Sequence, residues 1–326
     1  LSVPGFYSER PPYLLHARAL STLDDLIAKA ERADLFVVIT FRTGPGRSDF
    51  TFYRDGAGVW FSKDLLVETV WQSKKAQSAW ADMWRFTAER YKNRNHIAGY
   101  DLMCEPNAED ILFGIYDPAA YYPRYANTVH DWNQFYPDII KAIRSKDSGT
   151  PILVSCSGWG NSSWLPYLKA VEDSRIVYCF HQYEPHGYTH QEPNAKIPYP
   201  GKFDIDEDGK TDAFDKVWLG ELFGSIAQAQ ASFRRPLACN EYGIRRFVPG
   251  ADKFIADELE FMEKLGINHA VWMWYPDWKA WKDNAEMNDF NFRMTAAADQ
   301  CKTADNPLFA VLQRFWARNT VRPSKW

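Results

Sequence analysis

Five cysteines in 326 residues, Cys104, Cys156, Cys179, Cys239 and Cys301, are too few and too scattered for a disulfide scaffold. Their odd number leaves at least one thiol unpaired within a monomer. No apolar run reaches the roughly 18 residues a membrane span needs, and no basic leader precedes a hydrophobic stretch. Charge of one sign is lacking too: 42 acidic against 38 basic side chains leave a net charge of -4. That balance gives no polyanion-seeking footprint and excludes a general nucleic-acid binder. No glycine-rich phosphate turn follows any strand-like run, so a nucleotide site is not indicated. A serine hydrolase needs a Gly-x-Ser-x-Gly elbow, which Ser155-Cys156-Ser157-Gly158 does not form. Zinc has no C-x-x-C or H-x-x-x-H pair to organise it, and the cysteines read as small buried thiols between strands.

Aromatic side chains are abundant: 14 Trp, 17 Tyr and 21 Phe make 16% of the chain. Most belong to a core, but several sit in Gly/Pro/Asn-rich stretches, where an indole face suits a flat ligand such as a sugar ring. Short β-branched or aromatic runs alternate with helical patterns along the chain. Strands are expected at 35–41, 97–103, 151–155, 175–180, 236–240 and 269–274. Helices are expected at about 17–33, 77–93, 121–145, 164–172, 214–233, 254–265 and 307–319.

Six strands with helices between them build a parallel α/β fold, here expected as one TIM-type (β/α) barrel domain over residues 1–326. Residues with chemistry fall where strands end: Arg42, Glu105, Trp159, His181, Glu241 and Trp274. In a barrel those ends share one face. Only Leu1–Pro12 and one helix precede the first expected strand. The barrel is therefore expected to lack its first two strands and to be incomplete. Its open edges would suit covering by a second copy, a homodimer.

Glu105 and Glu241 each close a strand, in Tyr100-Asp101-Leu102-Met103-Cys104-Glu105-Pro106-Asn107 and Leu237-Ala238-Cys239-Asn240-Glu241-Tyr242-Gly243. Cutting a glycosidic bond takes one carboxylic acid to protonate the leaving oxygen and one carboxylate on the other side of the sugar. The pair, with its surroundings, resembles glycoside hydrolase family 5 of clan A. The family's Asn-Glu-Pro is met by Cys104-Glu105-Pro106, its nucleophile setting by Glu241-Tyr242-Gly243, and its His-x-Tyr by His181-Gln182-Tyr183. Trp274 matches its Trp at the last strand.

The resemblance implies that Glu105 is the general acid/base and Glu241 the nucleophile of a retaining double displacement. It implies that Tyr183 hydrogen-bonds the nucleophile, that His181 lines the site, and that Trp274 stacks a sugar. Arg42, Asn107 and Trp159 complete the expected substrate-binding set. Cys104 stands where the family has Asn, and the family's Arg on its second strand is missing, so Arg42 is expected to supply that cation beside Glu241. The implied activity is a cellulase-type endo-β-1,4-glucanase acting on a β-linked polysaccharide. A β-mannanase, or a barrel-derived carbohydrate-binding protein with impaired catalysis, are the alternatives.

Asp204-Ile205-Asp206-Glu207-Asp208-Gly209-Lys210-Thr211-Asp212-Ala213-Phe214-Asp215 carries carboxylates at loop positions 1, 3, 5, 9 and 12, with glycine at 6. That is EF-hand spacing, and crowded carboxylates repel unless a cation neutralises them. A structural Ca2+ is expected, held by Asp204, Asp206, Asp208, Asp212, Asp215 and the Lys210 carbonyl. Calcium and polysaccharide chemistry together imply a secreted, extracellular protein, though no signal peptide is visible.

Overall fold

Runs of Val, Ile, Tyr and Phe with apolar side chains on both faces become parallel strands covered by helices. The computed structural model describes residues 1–273, 289–292 and 306–320. The chain separates into two compact units, Leu1–Cys179 and Phe180–Arg322.

In the first unit five strands lie side by side, all parallel: β1 (Ser2–Val3), β2 (Val37–Phe41), β3 (Ile97–Asp101), β4 (Ile152–Ser155) and the first part of β5 (Ile176–Gln182). Its helices are α1 (Ala17–Arg32), α2 (Lys74–Tyr91), α3 (Ala108–Phe113), α4 (Pro118–Tyr125) and α5 (Trp132–Arg144). The second unit takes the end of β5, then α6 (His186–Thr189), the antiparallel hairpin β6 (Gly201–Phe203) and β7 (Asp212–Phe214), and α7 (Lys216–Phe233). Strand β8 (Leu237–Tyr242), α8 (Ala251–Leu265), β9 (Asn268–Val271) and α9 (Pro307–Trp316) follow, with β5, β8 and β9 neighbours in that order. Among the described residues no helix is long and apolar enough to cross a membrane.

Three expectations change. Strand β1 was not foreseen, because two residues carry no periodicity. It pairs Ser2 with Thr40 and Val3 with Phe41, so one of the two strands expected to be absent is present, without an Arg. The single helix expected at 121–145 is two. Asn127 adopts φ +62° and ends the run, its N–H donates to Asp131 Oδ2, and Asp131 Oδ1 caps α5 through the Asn133 N–H. The helix expected at 164–172 is a 3-10 turn over Ser162–Tyr167.

Aromatic side chains fix the strand ends. Trp80 and Trp84 on α2 are fully buried, and both indole N–H groups donate to the Leu102 carbonyl, at 3.1 and 2.8 Å. Trp132 on α5 does the same for the Ser155 carbonyl at 2.8 Å. Each indole fills core volume and satisfies a carbonyl at the C-terminal end of a strand, Leu102 just after β3 and Ser155 as the last residue of β4. Cys104, Cys156, Cys179 and Cys239 are all buried, as expected of thiols packed between strands, while Cys301 lies outside the described residues.

Candidate active site

In the first unit, β3 delivers Glu105 half-buried and in the left-handed region at φ +52°. A non-glycine residue there costs of order 1–3 kcal/mol unless its surroundings impose it. Arg47 is the imposing group. It is wholly buried, and its guanidinium donates to the Cys104 carbonyl at 2.5 Å, the Glu105 carbonyl at 2.7 Å and Asn107 Oδ1 at 3.3 Å. Burial lowers its pKa to about 10, so it stays charged at neutral pH. The turn Gly44-Pro45-Gly46 aims Arg47 inward, with Gly46 at φ +79° and Gly44 and Arg47 exchanging backbone hydrogen bonds.

Arg42, the expected cation, is engaged on the same unit. Its Nε lies 3.0 Å from Asp49 Oδ1, and its guanidinium sits over the Phe52 ring at 3.8 Å. Asn107 is buried ahead of α3 and held by Arg47. Trp159 sits half-buried on a strained turn, at φ +59° beside Gly158 at φ +67°. Glu109 Oε1 accepts from the Gly158 N–H at 2.8 Å, and Asp110 Oδ2 accepts from the Trp159 indole at 3.0 Å.

Glu109 is itself buried, and burial raises its carboxyl to about 8. The folded chain thus keeps this proton up to about 8, whereas the unfolded chain releases it near the ordinary glutamic acid value of 4.5. Between those limits the folded state binds more protons, so Glu109's contribution to stability falls as pH rises. Glu109→Gln is expected to flatten the decline in melting temperature over that window. A variant declining as steeply as wild type would disprove this assignment.

In the second unit, β8 carries Glu241 as its last residue but one, half-buried, and Glu241 Oε1 accepts from the Tyr183 hydroxyl at 2.7 Å. His181 Nδ1 lies 3.9 Å from the same oxygen, and its side chain is almost fully buried. Gly243 is required beside this pair, because a Cβ there would fall 2.1 Å from the Trp272 carbonyl oxygen. Tyr183 packs edge-on against His190, whose centroid is 5.2 Å away. Burial, then His186 and Arg245, lower His190 to about 3, so it presents a neutral ring to Tyr183. Trp274 lies outside the described residues.

A family model described as cellulase, glycosyl hydrolase family 5, matches residues 1–277. The chain belongs to glycosyl hydrolase family 5. Endoglucanase C of Acetivibrio thermocellus is 26% identical over 278 residues, covering 78% of this chain and 72% of that protein. Thermotoga maritima Cel5A, solved with cellobiose and with mannotriose, superposes with TM-scores of 0.63 at 19% and 20% identity. Each superposition covers 94% of this chain and 82% of that one. At such identity the likeness shows the fold, a TIM-type (β/α) barrel. As a family 5 member the chain is a glycoside hydrolase of cellulase type.

Arg47, Glu109, Asp110 and His190 were not foreseen. Arg47 follows a Gly-Pro-Gly turn, and turns carry no periodicity to show which side chain points inward. The adjacent acids Glu109 and Asp110, one residue beyond the Glu-Pro-Asn stretch, were the available signal for the second and third.

The acidic loop joins β6 and β7. Carboxylate oxygens of Asp204, Asp206 and Asp208 lie within 4.8 Å of one another. Asp204 accepts from the Asp208 and Gly209 N–H groups, and Asp212 Oδ2 accepts from the Ile205 N–H. Lys210 Nζ pairs with Asp208 Oδ2 at 2.7 Å, and Asp215 caps α7 through the Val217 and Trp218 N–H groups. Three of the expected calcium ligands therefore converge, while Asp212 and Asp215 also serve the backbone.

Proposed function

We propose that the protein is a retaining endo-β-1,4-glucanase, a single catalytic domain over residues 1–326, with Glu105 as acid/base and Glu241 as nucleophile. The observation that carries the reading is the hydroxyl of Tyr183 on Glu241 Oε1 at 2.7 Å. A donor on one carboxylate oxygen fixes the orientation of that group for attack on an anomeric carbon. Glu105 then gives its proton to the departing glycosidic oxygen and takes one from water when the glycosyl-enzyme is hydrolysed. The relatives named endoglucanase support glucan as the substrate.

Turnover of carboxymethyl cellulose against galactomannan tests the substrate. Proton NMR of the first-formed anomer tests retention, and initial release of the inverted anomer overturns the double displacement. Mannan is the second reading, since a similar structure was solved with mannotriose. Cys104 favours a third, impaired catalysis, because a buried thiol cannot replace an amide on the sugar 2-hydroxyl. Absence of turnover on both polymers, with binding retained, selects it.

The same reading places a structural Ca2+ at Asp204, Asp206 and Asp208 and the protein outside the cell. Chelation is expected to lower the melting temperature by a few degrees, restored by added calcium. An unchanged melting curve, with no calcium found by metal analysis, removes the ion and leaves Lys210 as the neutralising charge.

A further inference from the structure

We propose that the segment between β2 and α2 carries a distal glycan-binding strip that runs from Trp159 out to Trp60. It takes sugar residues of a β-linked glucan beyond those at the scissile bond, and so rests on the glucanase reading above. Long connections without regular structure are uncommon unless they do something, and the stretch from Arg42 to Ser73 holds only short 3-10 turns. It also displays large rings to solvent: Trp60 is 62% exposed and Tyr53 44%, with Tyr116 nearby at 68%.

These rings are held in place. The Trp60 indole lies so close over Gly56 that a Cβ there would fall 1.8 Å from its Nε1. Tyr53 and Phe61 meet the indole edge-on at 5.4 and 5.0 Å. Trp60 is thus clamped by its own turn while staying exposed, so little rotamer entropy is left to lose on binding. Consecutive residues Phe52 and Tyr53 make the strip continuous. Phe52 meets Trp159 at 5.6 Å, and Tyr53 faces Trp60.

Asp110 supplies the polar element. Its carboxylate accepts from Arg54 at 2.8 Å and the Trp159 indole at 3.0 Å, and its charge and hydrogen bond raise the Tyr116 phenol. Three donors from three segments are tied to one nearly buried acid. A β-linked glucan has apolar C–H faces and a rim of hydroxyls. Flat rings suit the faces, and Arg54 and the Tyr116 hydroxyl suit the rim. An apolar protein partner would leave this ion pair without hydroxyls to meet.

The test is Trp60→Ala, assayed on cellohexaose and on a short aryl cellobioside. The ratio of kcat/KM on the long substrate to that on the short one is expected to fall about tenfold, the loss of one aromatic anchor. An unchanged ratio overturns the strip. Absence of glucan turnover by the wild type would count against the glucanase reading instead. The strip is then decided by calorimetry of cellohexaose on Glu241→Ala with and without Trp60→Ala, where a tenfold weaker affinity supports it and equal affinity overturns it. Thermal melts of each variant verify folding.

Discussion

Glu241→Ala is expected to lower kcat on β-glucan by at least about 10⁴-fold, with the fold intact. The change removes the atom that forms the covalent bond to the sugar, so no remaining group rescues the first step. Tyr183→Phe should cost less, about 10–100-fold in kcat, because one hydrogen bond to a charged group is lost and the nucleophile stays. Glu105→Ala should show a third pattern. Cellulose-type substrates need a protonated leaving oxygen and become very slow, whereas an aryl glycoside with an acidic phenol leaves without help and loses much less in the first step. The three patterns together assign the roles, since a merely structural Glu241 would not separate kcat from melting temperature. Glu241→Ala turning over glucan at the wild-type rate ends the assignment.

What the sequence made legible follows from what each signal encodes. Strand positions were readable because β-branched runs bounded by turns have few other uses, and β2 to β5, β8 and β9 lie where those runs stand. Strand β1 was hidden because its pairing depends on Thr40 and Phe41, far along the chain. Tyr183 on Glu241 was legible only through the family's motif order, since nothing local at either residue predicts a 2.7 Å contact 58 positions apart. The 121–145 region shows the opposite limit. Its apolar spacing is helical on both sides, and the break comes from the left-handed Asn127 and the capping Asp131, both polar residues that also occur within helices. The supports of Glu105 were the least readable part. Arg42, at the expected strand end, was assigned to Glu241, and no local signal pointed to Arg47, five residues on, as the holder of the Glu105 backbone.

Arg47→Met is accordingly expected to be the most destabilising single change at this site, costing about 3–5 kcal/mol. The side chain is wholly buried, so its removal takes a charged donor away from the buried Cys104 carbonyl and the part-buried Glu105 carbonyl. Methionine fills much of the volume, which isolates the polar loss from a cavity effect. For a chain of this size the cost appears as a drop of about 10 °C in melting temperature. Catalysis should fall as well, because Glu105 occupies a left-handed conformation that Arg47 imposes. Arg47→Lys separates charge from shape. An ammonium retains the positive charge, but it lacks the planar fork that reaches two successive carbonyls. It should therefore recover part of the stability and little of the turnover. A methionine variant that melts and turns over like wild type would show that the Glu105 backbone holds its conformation without the guanidinium.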